Sequence, residues 1–260
     1  MEKICEDLQA EYQELDALVA SLSENQWHIS TPSHWTIKEQ IAHLAYFEDR
    51  AYLAASNAKA FRQHLQAEIG PDLAGIENHI KQTVGDRSIR GLIEWWRSER
   101  NNMLVELAKH GPKDRLPWYG PPMSALSFAT ARLMETWAHG QDIFDALRRK
   151  RRFTDRLRHI AHLGVTTFGW SYINRGLDVP QNQVRVELTA PSGAAWTWGP
   201  EDSRERIKGQ AEDFCLVVVR RRHVDDTELK IIGDTARDWM LKAQCFAGPP
   251  SDDPNPGERL

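Results

Sequence analysis

The stretch Ser124–Arg149, SALSFATARLMETWAHGQDIFDALRR, decides how the chain is read. It follows PWYGPP (Pro117–Pro122), whose prolines and glycine exclude a helix and mark a loop. A long helix is expected from about Ser124 to Arg149. On it Arg132, Glu135, His139 and Asp142 follow a three-four-three spacing and so share one face. Leu133, Trp137, Gly140 and Phe144 supply a packing stripe beside it, which makes the polar stripe a separate choice. Glu135 and His139 are four residues apart, bringing a carboxylate and an imidazole to one point. Helix bundles build metal sites with this pairing and take the remaining ligands from facing helices. A solvated helical ion pair is the competing reading of the same spacing.

Upstream, SHWTIKEQIAHLAYFE (Ser33–Glu48) places Thr36 and Glu39 in the T-x-x-E spacing of a capping box, which opens a helix running to about Ala55. His43 lies on the face of Ile37, Gln40 and Phe47 and should point inward. A lone inward histidine is more often a satisfied core residue than a ligand. One that faces a Glu/His pair across a bundle is a candidate third ligand.

Periodicity and capping predict further helices from the start to about Leu22, around Asp72–Thr83, over Ser88–His110 and over Thr154 to about Asn174. These fit an antiparallel four-helix bundle with one long connection, residues 1–175. The composition changes near Gly176, where GLDVPQNQ reads as a linker. VRVELTAPSGAAWTWGP then reads as two strands around a Pro-Ser-Gly turn, and Ile207–Arg221 reads as either helix or strand. ELKIIGD is a short strand, and ARDWMLKAQCFAG is a helix capped by Gly248. Residues 176–250 thus predict a small α+β domain, residues 251–260 a polar tail, and the whole an α+β fold class.

Composition narrows the function. Hydrophobic residues make up 41% and charged residues 27%, an ordinary globular balance. A net charge of −4 argues against a partner bound mainly through phosphates, so no nucleic acid is expected. No apolar run approaches the ~20 residues that span a bilayer, and no membrane association is expected. The acidic, amphipathic N-terminus does not read as a secretory signal. Cys5, Cys215 and Cys245, odd in number and without CxxC spacing, suit a reducing cytoplasm. His159 and His162 are three apart on a helix without a carboxylate nearby and read as surface or packing residues. Arg148–Arg152 (RRKRR) reads as a solvated helix end.

Three stretches together carry a family resemblance. SHWTIKEQIAHLAYFE resembles the first metal-ligand segment of the DinB/YfiT-like four-helix metalloproteins. METWAHGQDI (Met134–Ile143) resembles the second metal segment of their mycothiol-dependent maleylpyruvate isomerase branch. PSGAAWTWGP, GQAEDFCLVVVRRR and GDTARDWMLKAQCFAGPP are similar to the sterol-carrier-like C-terminal domain of one subgroup, so the likeness covers nearly the whole chain. It implies a zinc site of His43, Glu135 and His139 with a mycothiol-type thiol as cosubstrate. Two histidines and a carboxylate also suit Fe2+ or another divalent ion such as Ni2+. Asp142 and Glu48 are candidates to orient a ligand imidazole. Arg132 is a candidate to hold a substrate carboxylate or to balance Glu135. The resemblance also implies an arginine from the C-terminal domain at the site, best matched by Arg221, with Arg220 and Arg222 adjoining.

The expected activity is a metal-dependent addition or exchange of a low-molecular-weight thiol on a small electrophile, as S-transferase or as cis–trans isomerase. Two other classes compete. A zinc hydrolase would use Glu48 or Asp142 as general base. A non-catalytic metal- or ligand-binding protein would bind without turnover.

Overall fold

The computed structural model describes residues 1–69, 76–120, 122–252 and 254–259, and these fall into two compact units, Met1–Arg149 and Lys150–Leu260. In the first unit the helices are α1 (Glu2–Ala20), α2 (Ile37–Ser56), α3 (Ala58–His64), α4 (Ile76–Val84), α5 (Ile89–Leu107) and α6 (Ala125–Ala146). The strands β1 (Arg115–Leu116) and β2 (Met123–Ser124) pair antiparallel and tie down the two ends of the proline-rich loop; Pro121 lies outside the described residues. The helix expected over Asp72–Thr83 corresponds to α4, and residues 72–75 lie outside the described residues.

The bundle is α1, α2, α5 and α6, with α2 packed on α5 and α6 and α1 packed on α6. Local chemistry starts each helix where the sequence signals it. The Thr36 hydroxyl accepts from the Glu39 amide at 3.2 Å, and the Glu39 carboxylate accepts from the Thr36 amide at 2.7 Å, closing both halves of the capping box. Ser88 caps α5 and Ser124 caps α6 by accepting from the amides of Gly91 and Ser127. The core is a ladder of Ile4, Leu8, Tyr12, Leu15 and Val19 from α1 against Ile37, Ile41 and Leu44 from α2, Trp96 and Met103 from α5, and Phe128 and Leu133 from α6. The centre of α6 has little exposed face: Arg132, Thr136, His139, Gln141 and Asp142 are buried along with its apolar residues. Buried polar groups need partners, so this helix must find them on its neighbours.

The second unit holds α7 (Leu157–Thr166), α8 (Phe168–Ile173), β3 (Val184–Thr189), β4 (Ala195–Trp198), β5 (Glu205–Gln210), α9 (Ala211–Val218), β6 (Lys230–Ile232) and α10 (Asp234–Lys242). Its sheet has the order β4-β3-β5-β6, with β3 and β5 parallel and the other pairs antiparallel. Helices α9 and α10 pack against it around Val186, Leu188, Ile207, Phe214 and Trp239.

Several boundaries differ from the sequence reading. The compact units divide after Arg149, not near residue 175, because Leu157, Ile160 and Ala161 of α7 are buried in the unit that holds α9. Gly164 permits that contact: a Cβ there would lie 2.9 Å from Val218 Cγ2 and 3.1 Å from Phe214 Cε1. The single helix expected over Thr154–Asn174 breaks at Thr167 into α7 and α8. The ambiguous stretch after Ile207 is both strand and helix, β5 passing directly into α9. Gly248 does not cap α10, which ends at Lys242. Among the described residues no helix is long and apolar enough to cross a membrane.

Candidate metal centre

Helices α2 and α6 face each other through polar side chains in a register that identifies them as antiparallel. Arg132 meets Glu48, Glu135 meets His43, and His139 meets Gln40: partners on α2 descend as α6 ascends. The three-four-three stripe read on α6 is therefore the face that turns to α2.

In the middle of this seam His43, Glu135 and His139 each offer a donor atom, and these atoms all lie within 4.8 Å of one another. Glu135 Oε2 is 3.3 Å from His139 Nε2 and 3.9 Å from His43 Nε2. Donors bound about 2.0–2.1 Å from a tetrahedral ion stand roughly 3.3 Å apart, so the spacing is close to that of a site able to receive one. His139 is buried, while His43 and Glu135 keep part of their surface open, which leaves an approach from one side. Burial and the facing His139 push the His43 imidazole down to about 4, so near neutral pH it is uncharged and has a lone pair to give. Burial would raise the Glu135 carboxyl. Hydrogen bonding to His139 and His43 and the charge of Arg132 outweigh that and hold it well below the ordinary range. Two neutral imidazoles and an ionised carboxylate form a donor set that suits a divalent ion.

The two imidazoles are held differently. His139 Nδ1 is 2.5 Å from Gln40 Oε1. His43 Nδ1 is buried with no hydrogen-bond partner among the described residues, and its ring is fixed by packing, 4.6 Å from Phe47 and 5.1 Å from Trp35 between centroids. The Trp35 ring also lies 6.0 Å from His139 and parallel to it within 8°. Phe47 continues the aromatic surface to Trp118 and Tyr119 of the proline-rich loop.

The other sequence candidates take distinct positions. Both Nε and Nη2 of Arg132 donate to Glu48 Oε1, at 3.1 and 2.9 Å. The guanidinium offered by sequence to a substrate carboxylate or to Glu135 is thus engaged by Glu48, and both are buried. Asp142 is fully buried and lies 3.5 Å from Gln40 Nε2, one residue behind the imidazole. Gln40, which the sequence placed on the right face without a task, is the group that contacts His139. The signal that marks it is its position three residues before His43, together with hydroxyl-bearing Thr31 and Ser33 just upstream.

In the second unit, His162 accepts from the Trp198 indole at 3.3 Å. Arg220–Arg222 close the C-terminus of α9: the amides of Arg221 and Arg222 both reach the Leu216 carbonyl, with Arg220 at a φ of 59°. Arg220 Nη2 donates to the Leu241 carbonyl and Arg221 Nη1 to the Val219 carbonyl. Cations at a helix C-terminus also complement its dipole.

Comparison with known proteins gives the geometry a context. Two proteins of Mycobacterium tuberculosis, from the strains CDC 1551 / Oshkosh and ATCC 25618 / H37Rv and both described as uncharacterized, are each 44% identical over 245 residues, 94% of this chain and 95% of theirs. The crystal structure of the mycothiol-dependent maleylpyruvate isomerase shares the fold with a TM-score of 0.57 at 13% identity, over 85% of this chain and 89% of that one. A histidine-to-alanine variant of that enzyme superposes equally well at 14% identity. Residues 180–229 match a family described as wyosine base formation. Residues 8–144, which take in His43, Glu135 and His139, match the mycothiol maleylpyruvate isomerase N-terminal domain, and it is to this family that the chain belongs.

Proposed function

We propose that the protein is a divalent-metal enzyme that uses a low-molecular-weight thiol of the mycothiol type on a small electrophile, as S-transferase or as a maleylpyruvate isomerase-like cis–trans isomerase. The convergence of His43, Glu135 and His139 carries this reading. Zinc suits the set, as do Fe2+ and Ni2+. When bound, such an ion supplies a Lewis acid that lowers the pKa of a thiol taking its remaining position.

The chain's own residues do the rest. Neutral His43 and ionised Glu135 present lone pairs to the ion, and three protein donors leave room for an outside group, the arrangement of catalytic rather than structural zinc. Trp35, Phe47 and Trp118 form an aromatic wall near the triad that gives a flat electrophile a surface to lie on. Buried Arg132 lies three residues from Glu135, and its charge favours the ionised form of that ligand.

The hydrolase alternative needs a carboxylate free to take a proton from water. Glu48 and Asp142, the two candidates, have no exposed surface, and Oε1 of Glu48 is held by Arg132. This supports the thiol reading. Arg221 as the cation that captures an anionic substrate or cosubstrate is a proposal from the family resemblance alone.

Turnover of maleylpyruvate and other electrophiles by metal-loaded protein, with and without mycothiol, tests the function. Thiol-dependent turnover is the expected result. Turnover of esters or amides without a thiol would point to hydrolysis instead.

A further inference from the structure

Gln40 has no exposed surface, and its side-chain amide touches four groups. Nε2 lies 2.8 Å from Thr31 Oγ1, 2.6 Å from Ser33 Oγ and 3.5 Å from Asp142 Oδ2, while Oε1 lies 2.5 Å from His139 Nδ1. A glutamine amide fits a density or a fold either way round, so its surroundings must decide its direction. Thr31 Oγ1 donates its one proton to the Trp35 carbonyl at 2.8 Å and can therefore only accept from Gln40. The Asp142 carboxylate oxygen also accepts. Ser33, whose hydroxyl is 2.9 Å from that of Thr31, can donate there and still accept from the amide. The group facing all three must be the NH2. The carbonyl then faces His139, and because it has no proton to give, Nδ1 of His139 must be the donor. Nε2, 3.3 Å from Glu135, is then the nitrogen that turns a lone pair to an ion when one replaces its hydrogen bond to that carboxylate.

We propose that Gln40 is a positioning residue of the metal centre: it fixes His139 as the Nδ1–H tautomer and aims Nε2 at the ion. The inference rests on the metal reading given above for the ion, and on the hydrogen-bond network alone for the tautomer. It assigns a task to the segment before α2. Thr31 and Ser33 hold the amide, and the same backbone carries Trp35 over the ring of His139, so one short loop sets both the electronics and the roof of the site. The acceptor is a neutral amide. A carboxylate in its place would make the imidazole a stronger donor and the ion a weaker Lewis acid.

Long-range proton–nitrogen NMR on the zinc-loaded, 15N-labelled full chain reads the tautomer directly, with His139→Ala assigning the signal. An Nδ1–H imidazole is expected; an Nε2–H imidazole overturns the proposal. Zinc affinity, measured by competition with a chromophoric chelator, should fall about 10- to 100-fold in Gln40→Met, with His139 no longer held in one tautomer. Gln40→Asn keeps an amide too short to reach and should behave alike, which carries the test if Gln40→Met does not fold. Unchanged affinity and tautomer in a folded variant would also overturn it. Wild-type protein that binds no zinc yet shows the Nδ1–H form would refute the metal reading and leave the tautomer lock standing.

Discussion

Arg132 and Glu48 cross between α6 and α2 beside the triad, with the cation spread over the Trp118 ring at 5.9 Å. Two charges taken out of water balance only while both are present, so removing one leaves the other uncompensated. Arg132→Met should destabilise the protein by about 3–5 kcal/mol in urea denaturation, and Arg132→Met with Glu48→Leu together should recover much of that loss. A loss in the double variant equal to the sum of the losses in Arg132→Met and Glu48→Leu alone would mean that the pair is not coupled. The triad was legible in the sequence because its chemistry and its spacing agree: Glu135 and His139 are one turn apart on a stripe, and His43 sits on an inward face. Gln40 was not legible as the partner of His139. Its place three residues before His43 marks the face but not the task, because the direction of the amide is set by hydroxyls of a loop whose path the sequence does not give. Glu48 and Asp142 share the seam, but Arg132 takes the first, and Gln40 stands between His139 and the second.

Helix starts were the most legible elements, since Thr36, Ser88 and Ser124 each announce the first turn and each caps it. Thr36→Ala removes one half of the α2 capping box and should cost about 1 kcal/mol, read as a shift in the denaturation midpoint at unchanged slope. No shift would show that Glu39 alone fixes the start. Helix ends and breaks were harder to read. Nothing in TTFGW marks Thr167 as a break between α7 and α8, and β5 turns into α9 at Gln210 without a Pro or Gly between them. The packing of α7 on α9 is decided by a missing side chain. Gly164→Val places methyl groups against Val218 and Phe214 and should cost about 1–3 kcal/mol by overpacking, whereas a neutral effect would contradict the close approach of the two helices.

At the scale of the whole chain, GLDVPQNQ looked like a domain linker because composition changes there, yet the compact units part after Arg149. Composition reports solvation, whereas the boundary follows which apolar face is buried by which partner, and α7 is buried among the residues of the second unit. The α+β class and the bundle were legible because strands and helices segregate along the chain. Arg221→Ala tests the one role assigned to the second unit: retention of the metal with turnover reduced about thirty- to a thousandfold is expected. Unchanged kinetics in Arg221→Ala, beside Arg220→Ala and Arg222→Ala, would return the cluster to its part in closing α9.

An ion that binds only the folded bundle also stabilises it. Zinc at a thousand times its dissociation constant should add about 4 kcal/mol to unfolding, and a chelator should remove it. The most direct measurement is the metal content of the purified chain and its variants by elemental analysis after loading and desalting. About one divalent ion per chain is predicted for the wild type and for the decoys His159→Ala and His162→Ala, and near none for His43→Ala, Glu135→Ala or His139→Ala. A wild type that takes up no ion, or full occupancy in any of the three triad variants, would contradict the account.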